Sequence, residues 1–279
     1  MNILDEIAEF TKNRIKKDMT AVPKTELIKK AESFNGSLPP FAFENALKNQ
    51  DINFICEVKK ASPSKGIIAE DFPYIDIAKD YEAAGASCIS CLTEPKYFKG
   101  SDNYLADIKH NVNIPVLRKD FTVDDYMIYQ AKTLDADCVL LICSLLDKNT
   151  LEEYIRICDS LGMSALVEAH DETEIQTAIN AGARIIGVNN RDLKTFKVDI
   201  HNSERLRKLV PEDILFVAES GIKTPDDINV LKKANVNGVL IGETLMKSND
   251  KKSMINHLKS VKENTKLEKN LAKCFQASH

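Results

Sequence analysis

Ile52-Asn53-Phe54-Ile55-Cys56-Glu57-Val58-Lys59-Lys60-Ala61-Ser62-Pro63-Ser64-Lys65-Gly66 carries three signals in one segment. The apolar run from Ile52 to Cys56 reads as the start of a buried β-strand. Side chains alternate across a strand with period two, so Glu57 and Lys59 share a face. An acid and a base therefore stand together where an ordinary core would have Val or Ile. A loop rich in Ser, Pro and Gly follows, of the kind that lets backbone approach a ligand. Opposite charges at a strand end, opening into such a loop, suit an active site and are avoided in a core. The plainer alternative is a surface strand with a chance ion pair.

Similar apolar runs recur along the chain: Phe54–Val58, Cys88–Leu92, Ile114–Leu117, Cys138–Cys143, Ala165–Val167, Ile185–Val188, Leu215–Ala218 and Gly238–Ile241. Most are continuous rather than alternating, as strands covered on both faces should be. Segments with helical spacing lie between them: Ile75–Ala84, Val123–Leu134, Leu151–Leu161, Glu172–Ala181 and Asp226–Ala234. Gly85 and Gly182 stop two of these helices, and Thr224-Pro225-Asp226 has the form of a helix start. Eight strand–helix units predict an α/β fold, a closed (β/α)8 TIM barrel. The competing doubly wound sheet usually has fewer strands, and the first loop lacks its G-x-G-x-x-G fingerprint. Residues 1–50 then form an N-terminal helical extension packed over one end of the barrel or serving dimerisation. Residues 51–262 form the barrel, and 263–279 a basic C-terminal tail, solvated or frayed.

The bulk numbers agree with one large domain. The chain has 279 residues, 43% hydrophobic and 29% charged, enough for a sizeable core. Its formal net charge of −4 resides in an acidic middle between basic ends, which argues against nucleic acid as the main partner. No apolar run approaches the ~20 residues that span a membrane, and the acidic start is unlike a secretory signal. A cytoplasmic enzyme is expected. The seven cysteines fit a reducing compartment, being odd in number and set mostly in apolar runs. Cys88 and Cys91 have metal-site spacing, but a strand throws them to opposite faces.

In a TIM barrel the site lies at the C-terminal ends of the strands. Those ends supply Glu57 and Lys59, then Thr93-Glu94, Arg118-Lys119-Asp120, Glu168, Asn189 with Arg191, Glu219-Ser220-Gly221 and Gly242-Glu243. Any one of these reads as a polar loop residue facing water. Seven of them, Glu57, Lys59, Lys119, Glu168, Asn189, Arg191 and Ser220, converge on one mouth if the barrel closes. Ser220-Gly221 and Gly242-Glu243 follow the seventh and eighth strands, where many barrels bind phosphate through bare backbone N–H groups. His170 reads as structural.

Several of these segments resemble one family. Glu57-Val58-Lys59-Lys60-Ala61-Ser62-Pro63-Ser64-Lys65-Gly66 looks like the first-strand signature of indole-3-glycerol-phosphate synthases. Leu92–Ser101, Leu117–Phe121, Leu166–Glu168, Gly187–Leu193, Ala218–Ile222 and Leu240–Met246 are similar to further motifs of that family. The resemblance implies closure of 1-(2-carboxyphenylamino)-1-deoxyribulose 5-phosphate to indole-3-glycerol phosphate, with loss of CO2 and water, in tryptophan biosynthesis. It implies a carboxy-lyase with no metal or organic cofactor, and a small phosphorylated molecule as partner. Nucleic acid and membrane are not implied, and the protein would be a monomer or weak homodimer.

By the same resemblance Lys119 is the acid that polarises and protonates the ketone. Glu168 and Lys59 move protons in the later dehydration, in an order left open. Glu57 would orient Lys59. Asn189 and Arg191 would position hydroxyls and carboxylate, and Ser220, Gly221, Gly242 and Glu243 would cradle the phosphate. The Glu243 carboxylate is tolerable there only if it turns away. Ser62 begins a mobile loop over the substrate, and Phe98, Phe121 and Leu193 suit an apolar slot for the aromatic ring. Two rivals are a Schiff-base sugar-phosphate aldolase using Lys119 and a catalytically inactive barrel scaffold.

Overall fold

A computed structural model describes residues 2–192 and 197–260. Eight parallel strands close into a barrel in which each pairs with its sequence neighbours. They are β1 (Asn53–Val58), β2 (Cys88–Leu92), β3 (Val116–Lys119), β4 (Cys138–Ile142), β5 (Ser164–Ala169), β6 (Ile185–Asn189), β7 (Leu215–Glu219) and β8 (Gly238–Ile241). The ring closes where Asn53 to Cys56 of β1 pair with Gly238 to Ile241 of β8. The expected third strand starts later, at Val116, because Pro115 has no N–H for the ladder.

Period two divides every strand between two cores. Ile55, Leu117, Leu140, Leu166, Val217 and Leu240 fill the barrel interior. Phe54, Ile89, Val139, Val167, Ile186 and Phe216 face outward into the helical layer. Cys88 falls in the inner core and Cys91 in the outer one, so this pair is not a metal site. The six described cysteines are free and buried, and burial pushes the Cys143 thiol up to about 12, far from a reactive range.

Helices α1 (Ile3–Ala21), α2 (Lys24–Ser33) and α3 (Ala42–Ala46) precede the barrel. The outer ring is α4 (Tyr74–Ala83), α5 (Asp102–Asn111), α6 (Tyr126–Thr133), α7 (Lys148–Ser160), α8 (Glu172–Asn180), α9 (His201–Arg207), α10 (Pro225–Lys233), α11 (Glu243–Met246) and α12 (Lys251–Lys259). The glycine stops are in place, with φ of +80° at Gly85 and +83° at Gly182, and Thr224 caps α10 in a capping box. The tail from residue 263, like the last two residues assigned to the barrel, lies outside the described residues.

The extension reaches both ends of the barrel rather than one. Phe43 and Leu47, on and just after α3, join the interior core from below, where Glu44 N–H meets the Ser164 hydroxyl at the start of β5. At the other end Ile3, Leu4 and Ile7 of α1 wall the mouth. Ile15 and Leu27 dock α1 and α2 on Tyr126 and Met127 of α6. Amphipathic spacing shows that a helix buries a face but not what it meets, which is why both contacts were out of reach of the sequence.

Phe43 is fully buried in this bottom plug. Phe43→Ala should destabilise the fold by about 3–5 kcal/mol in urea unfolding. A loss under about 0.5 kcal/mol, the range of a surface substitution, would show that α3 does not close the barrel.

Candidate active site

Barrel interiors are filled in layers of four side chains taken from alternate strands. Here the inward positions of the odd strands are Ile55, Leu117, Leu166 and Val217, and two residues further on they become Glu57, Lys119, Glu168 and Glu219. The topmost layer is thus charged where packing alone would place aliphatic groups. Its three carboxylates are 4%, 2% and 2% exposed. Burial of charge at this density is costly unless every group is paired.

The pairing is nearly complete. Lys119 Nζ lies 3.2 Å from Glu168 Oε2 and 3.2 Å from Glu219 Oε2. Asn189 Nδ2 donates to Glu168 Oε1 at 3.3 Å. Lys59, just beyond β1, forms an ion pair with Glu57, as the period-two reading of the first strand requires. Burial alone would lower the Lys119 pKa, but the fields of Glu219, Glu168 and Glu57 outweigh it and raise it above the ordinary lysine value. For Glu168 burial opposes ionisation, while Lys119, His170 and Asn189 overcome it and hold the carboxyl below its usual range. Glu219 goes the other way. Burial, joined by the like charges of Glu168 and Glu57, pushes it up to about 7 against the pull of Lys119, and its Oε1 has no hydrogen-bond partner.

Two glycines make room for this layer. A Cβ on Gly187 would strike the Glu219 carboxylate. One on Gly242 would strike Glu57 and come within 3.0 Å of Lys59 Nζ. After β7 the chain turns through two successive left-handed residues, Ser220 at φ +66° and Gly221 at φ +85°. For a non-glycine residue such as Ser220 this conformation costs about 1–3 kcal/mol.

Above the charged layer is a cavity of about 670 Å³, of ligand-site size. Its β2–β3 side is apolar. Phe98 and Phe121 face each other with ring centroids 5.9 Å apart, and Ile3, Leu4 and Ile7 add to that wall. Glu94 does not reach the mouth; its carboxylate accepts the N–H groups of Lys96, Tyr97 and Phe98 and so folds the loop that presents Phe98. The β7–β8 side is cationic. Glu243, at the start of α11, lies 2.7 Å from Lys247 Nζ, 3.5 Å from Arg191 and 3.9 Å from Lys65. A mouth with an ammonium at its base, an aromatic slot on one side and a cationic rim on the other fits an anionic substrate with an aromatic ring.

A family model described as Indole-3-glycerol phosphate synthase matches residues 4–258. The chain belongs to the indole-3-glycerol phosphate synthase family. A relative of that name from Ruminiclostridium cellulolyticum is 61% identical over 248 residues, covering 89% of this chain and 95% of the relative. One from Lachnoclostridium phytofermentans is 53% identical over 270 residues, covering 93% and 99%. Among solved structures, 3-hexulose-6-phosphate synthase from Salmonella typhimurium superposes with a TM-score of 0.63 at 14% identity, covering 75% of this chain and 98% of that one. That likeness concerns the fold alone. The chain is accordingly an enzyme, a decarboxylating carbon–carbon lyase of tryptophan biosynthesis.

Of the residues expected in this indole-3-glycerol phosphate synthase site, Glu57, Lys59, Lys119, Glu168, Asn189, Arg191, Ser62, Phe98, Phe121, Ser220, Gly221, Gly242 and Glu243 all line the one cavity. Leu193 lies outside the described residues. Two of these residues have structural surroundings that the sequence did not suggest. The Ser62 segment, read as a mobile loop, forms an antiparallel ribbon in which Ala61 and Ser62 pair with Ile67 and Gly66. The Glu243 carboxylate, expected to turn away from a phosphate site, sits among Lys65, Arg191 and Lys247, whose charges hold its pKa down. The sequence assigns no binding or catalytic role to Glu219, Lys65, Lys247 or the α1 wall. Glu219 was open to the same period-two argument as Glu57, since it follows the inward Val217 by two residues.

Gly242→Ala should leave the fold intact and lower kcat/KM by roughly 10²-fold, because its methyl displaces the Glu57–Lys59 pair; unchanged kcat/KM would show that the pair's position is immaterial. Glu219 gives a stability test. Its folded pKa lies above the ordinary 4.5, so the folded state holds the proton more tightly and stability falls as pH rises from 4.5 through about 7. Glu219→Gln removes that loss, so its urea midpoint should gain on wild type between pH 4.5 and pH 8. A pH-independent difference would contradict the assignment.

Proposed function

We propose that this mouth closes 1-(2-carboxyphenylamino)-1-deoxyribulose 5-phosphate to indole-3-glycerol phosphate, with Lys119 as the acid on the ketone. The observation that supports it most is the Lys119 ammonium, held charged by carboxylates and facing a cavity that is aromatic on one side and cationic on the other. As the ring carbon attacks, negative charge develops on the ketone oxygen, and a fixed ammonium at the base of the cleft stabilises it and supplies the proton. Loss of CO2 then restores aromaticity, and a hydroxyl must leave. Glu168 is held ionised, which suits it to accept the proton in that dehydration, and Lys59 to deliver one to the departing hydroxyl.

The aromatic ring fits against the apolar face made by Phe98 and Phe121, under the α1 wall. Ser220, Gly221, Gly242 and Glu243 offer backbone N–H groups to the phosphate, with Lys65, Arg191 and Lys247 as counter-charges. In this reading Arg191 serves the phosphate, which its position beside Glu243 supports, while Asn189 stays on Glu168. A Schiff-base aldolase is disfavoured, because imine formation needs a neutral amine and the surroundings of Lys119 favour the ammonium. No helix among the described residues is long and apolar enough to cross a membrane, and a cytoplasmic enzyme, monomeric or weakly dimeric, belongs to the same reading.

The chain has no Trp, so indole fluorescence from product would rise over little protein background. Wild-type protein should generate it from the carboxyphenylamino substrate, and Lys119→Ala should retain the fold and lose at least ~10²-fold in turnover. No indole from the folded wild type would sink the assignment of activity, and undiminished turnover in the variant would remove Lys119 from the role of acid.

A further inference from the structure

Glu168 has a second cationic neighbour besides Lys119. His170 follows it by two residues, past the end of β5, and so points to the same side. Its Nε2 lies 3.2 Å from Glu168 Oε1 without hydrogen-bond alignment, so the contact acts through charge. Its Nδ1 lies 2.9 Å from Glu174 Oε2, and the same oxygen accepts the His170 backbone N–H at 2.8 Å. Glu174 is itself fixed in the first turn of α8, where its N–H donates to the Asp171 cap.

Both ring nitrogens therefore face carboxylate oxygens. A neutral imidazole has one N–H and one lone pair, so in either tautomer it would turn the lone pair toward a carboxylate. Only the doubly protonated ring can give an N–H to Glu174 and set positive charge, not a lone pair, beside Glu168.

We propose that His170 is a positioning residue, a standing imidazolium braced by Glu174 that keeps Glu168 ionised and turned between itself and Lys119. The proposal rests on the part assigned to Glu168 above. It accounts for an asymmetry in the charged layer. Glu168 and Glu219 share one ammonium at equal distances, and two buried carboxylates so placed compete for one proton. Of these two the imidazolium faces Glu168 and not Glu219, so the proton goes to Glu219 and Glu168 is left as the base. The other groups around this chain are Lys119, Asn189 and Glu219 within the barrel, Asp171 at the α8 cap, and Cys143, a neutral thiol that donates to the Glu174 carbonyl. Burial would lower the imidazole pKa, but the two carboxylates overcome this and raise it to about 10.

The test is ¹⁵N–¹H NMR of the imidazoles in ¹⁵N-histidine-labelled full-length protein, with His170 assigned from the spectra of His170→Gln and Glu174→Gln. The expected result is a ring that carries both protons at pH 8 and titrates near pH 10 in wild type and lower in Glu174→Gln. A ring titrating near the ordinary 6.5 overturns the proposal. This readout needs no turnover, so it stands apart from any failure of the assigned activity. In the pH profile of kcat/KM, His170→Gln should move the acid limb up by at least about one unit, because Glu168 loses an opposing charge. Glu174→Gln should leave that limb in place, since the ring is protonated there in any case. A His170→Gln profile that is scaled down but unshifted, as a purely structural role would give, also overturns it.

Discussion

A single ammonium sets the conditions for this site. Lys119 rises from the third strand into a ring position whose other occupants are Glu57, Glu168 and Glu219, and it is the only cation of that layer. Three carboxylates in a closed barrel could not all stay charged without it. With it Glu168 is ionised, while burial and the like charges of Glu168 and Glu57 still push Glu219 toward protonation against the pull of Lys119. The side chains beneath this layer are aliphatic, so the barrel supplies rigidity from below and leaves the cost of charge burial to the mouth. Gly187 and Gly242 follow from the same constraint, since any larger residue there would displace a member of the layer. Stability is given up at these positions, and the Ser220 backbone adds strain of its own.

The rest of the molecule arranges what surrounds that charge. The N-terminal extension plugs the barrel from below through Phe43 and Leu47 and roofs the mouth with α1. Glu94 spends its carboxylate on three backbone N–H groups, which shapes the loop carrying Phe98 and thereby the aromatic slot. Across the mouth, Glu243 gathers Lys65, Arg191 and Lys247 into one cationic rim. The buried ammonium, the aromatic wall and the cationic rim thus come from different strand ends held in register by one closed sheet.

Much of this was legible in the sequence, for reasons that can be named. Strand positions emerged because buried parallel strands are continuous apolar runs, and period two then assigned faces, correctly separating Cys88 from Cys91 and uniting Glu57 with Lys59. Motif resemblance carried the family and pointed to Lys119. What stayed hidden was partnership across the barrel. Glu219 meets Lys119 from 100 residues away in the chain; its strand position was readable from period two, but its partner was not. His170 read as structural because a lone histidine at a loop entry does not reveal that the turn from β5 into α8 brings Glu168 and Glu174 to its ring. The three cations around Glu243 were equally hidden, since Lys65 and Arg191 reach it from distant parts of the chain.

The most direct measurement is a pH titration of the Lys119 side chain by NMR on ¹³Cε-lysine-labelled protein, assigned by difference from Lys119→Arg. A resonance that stays in the ammonium form beyond the ordinary lysine value of 10.5 is the predicted result. A Lys119 amine that loses its proton at or below that value would contradict the account, because the carboxylates could then not be holding the charge on which the site depends.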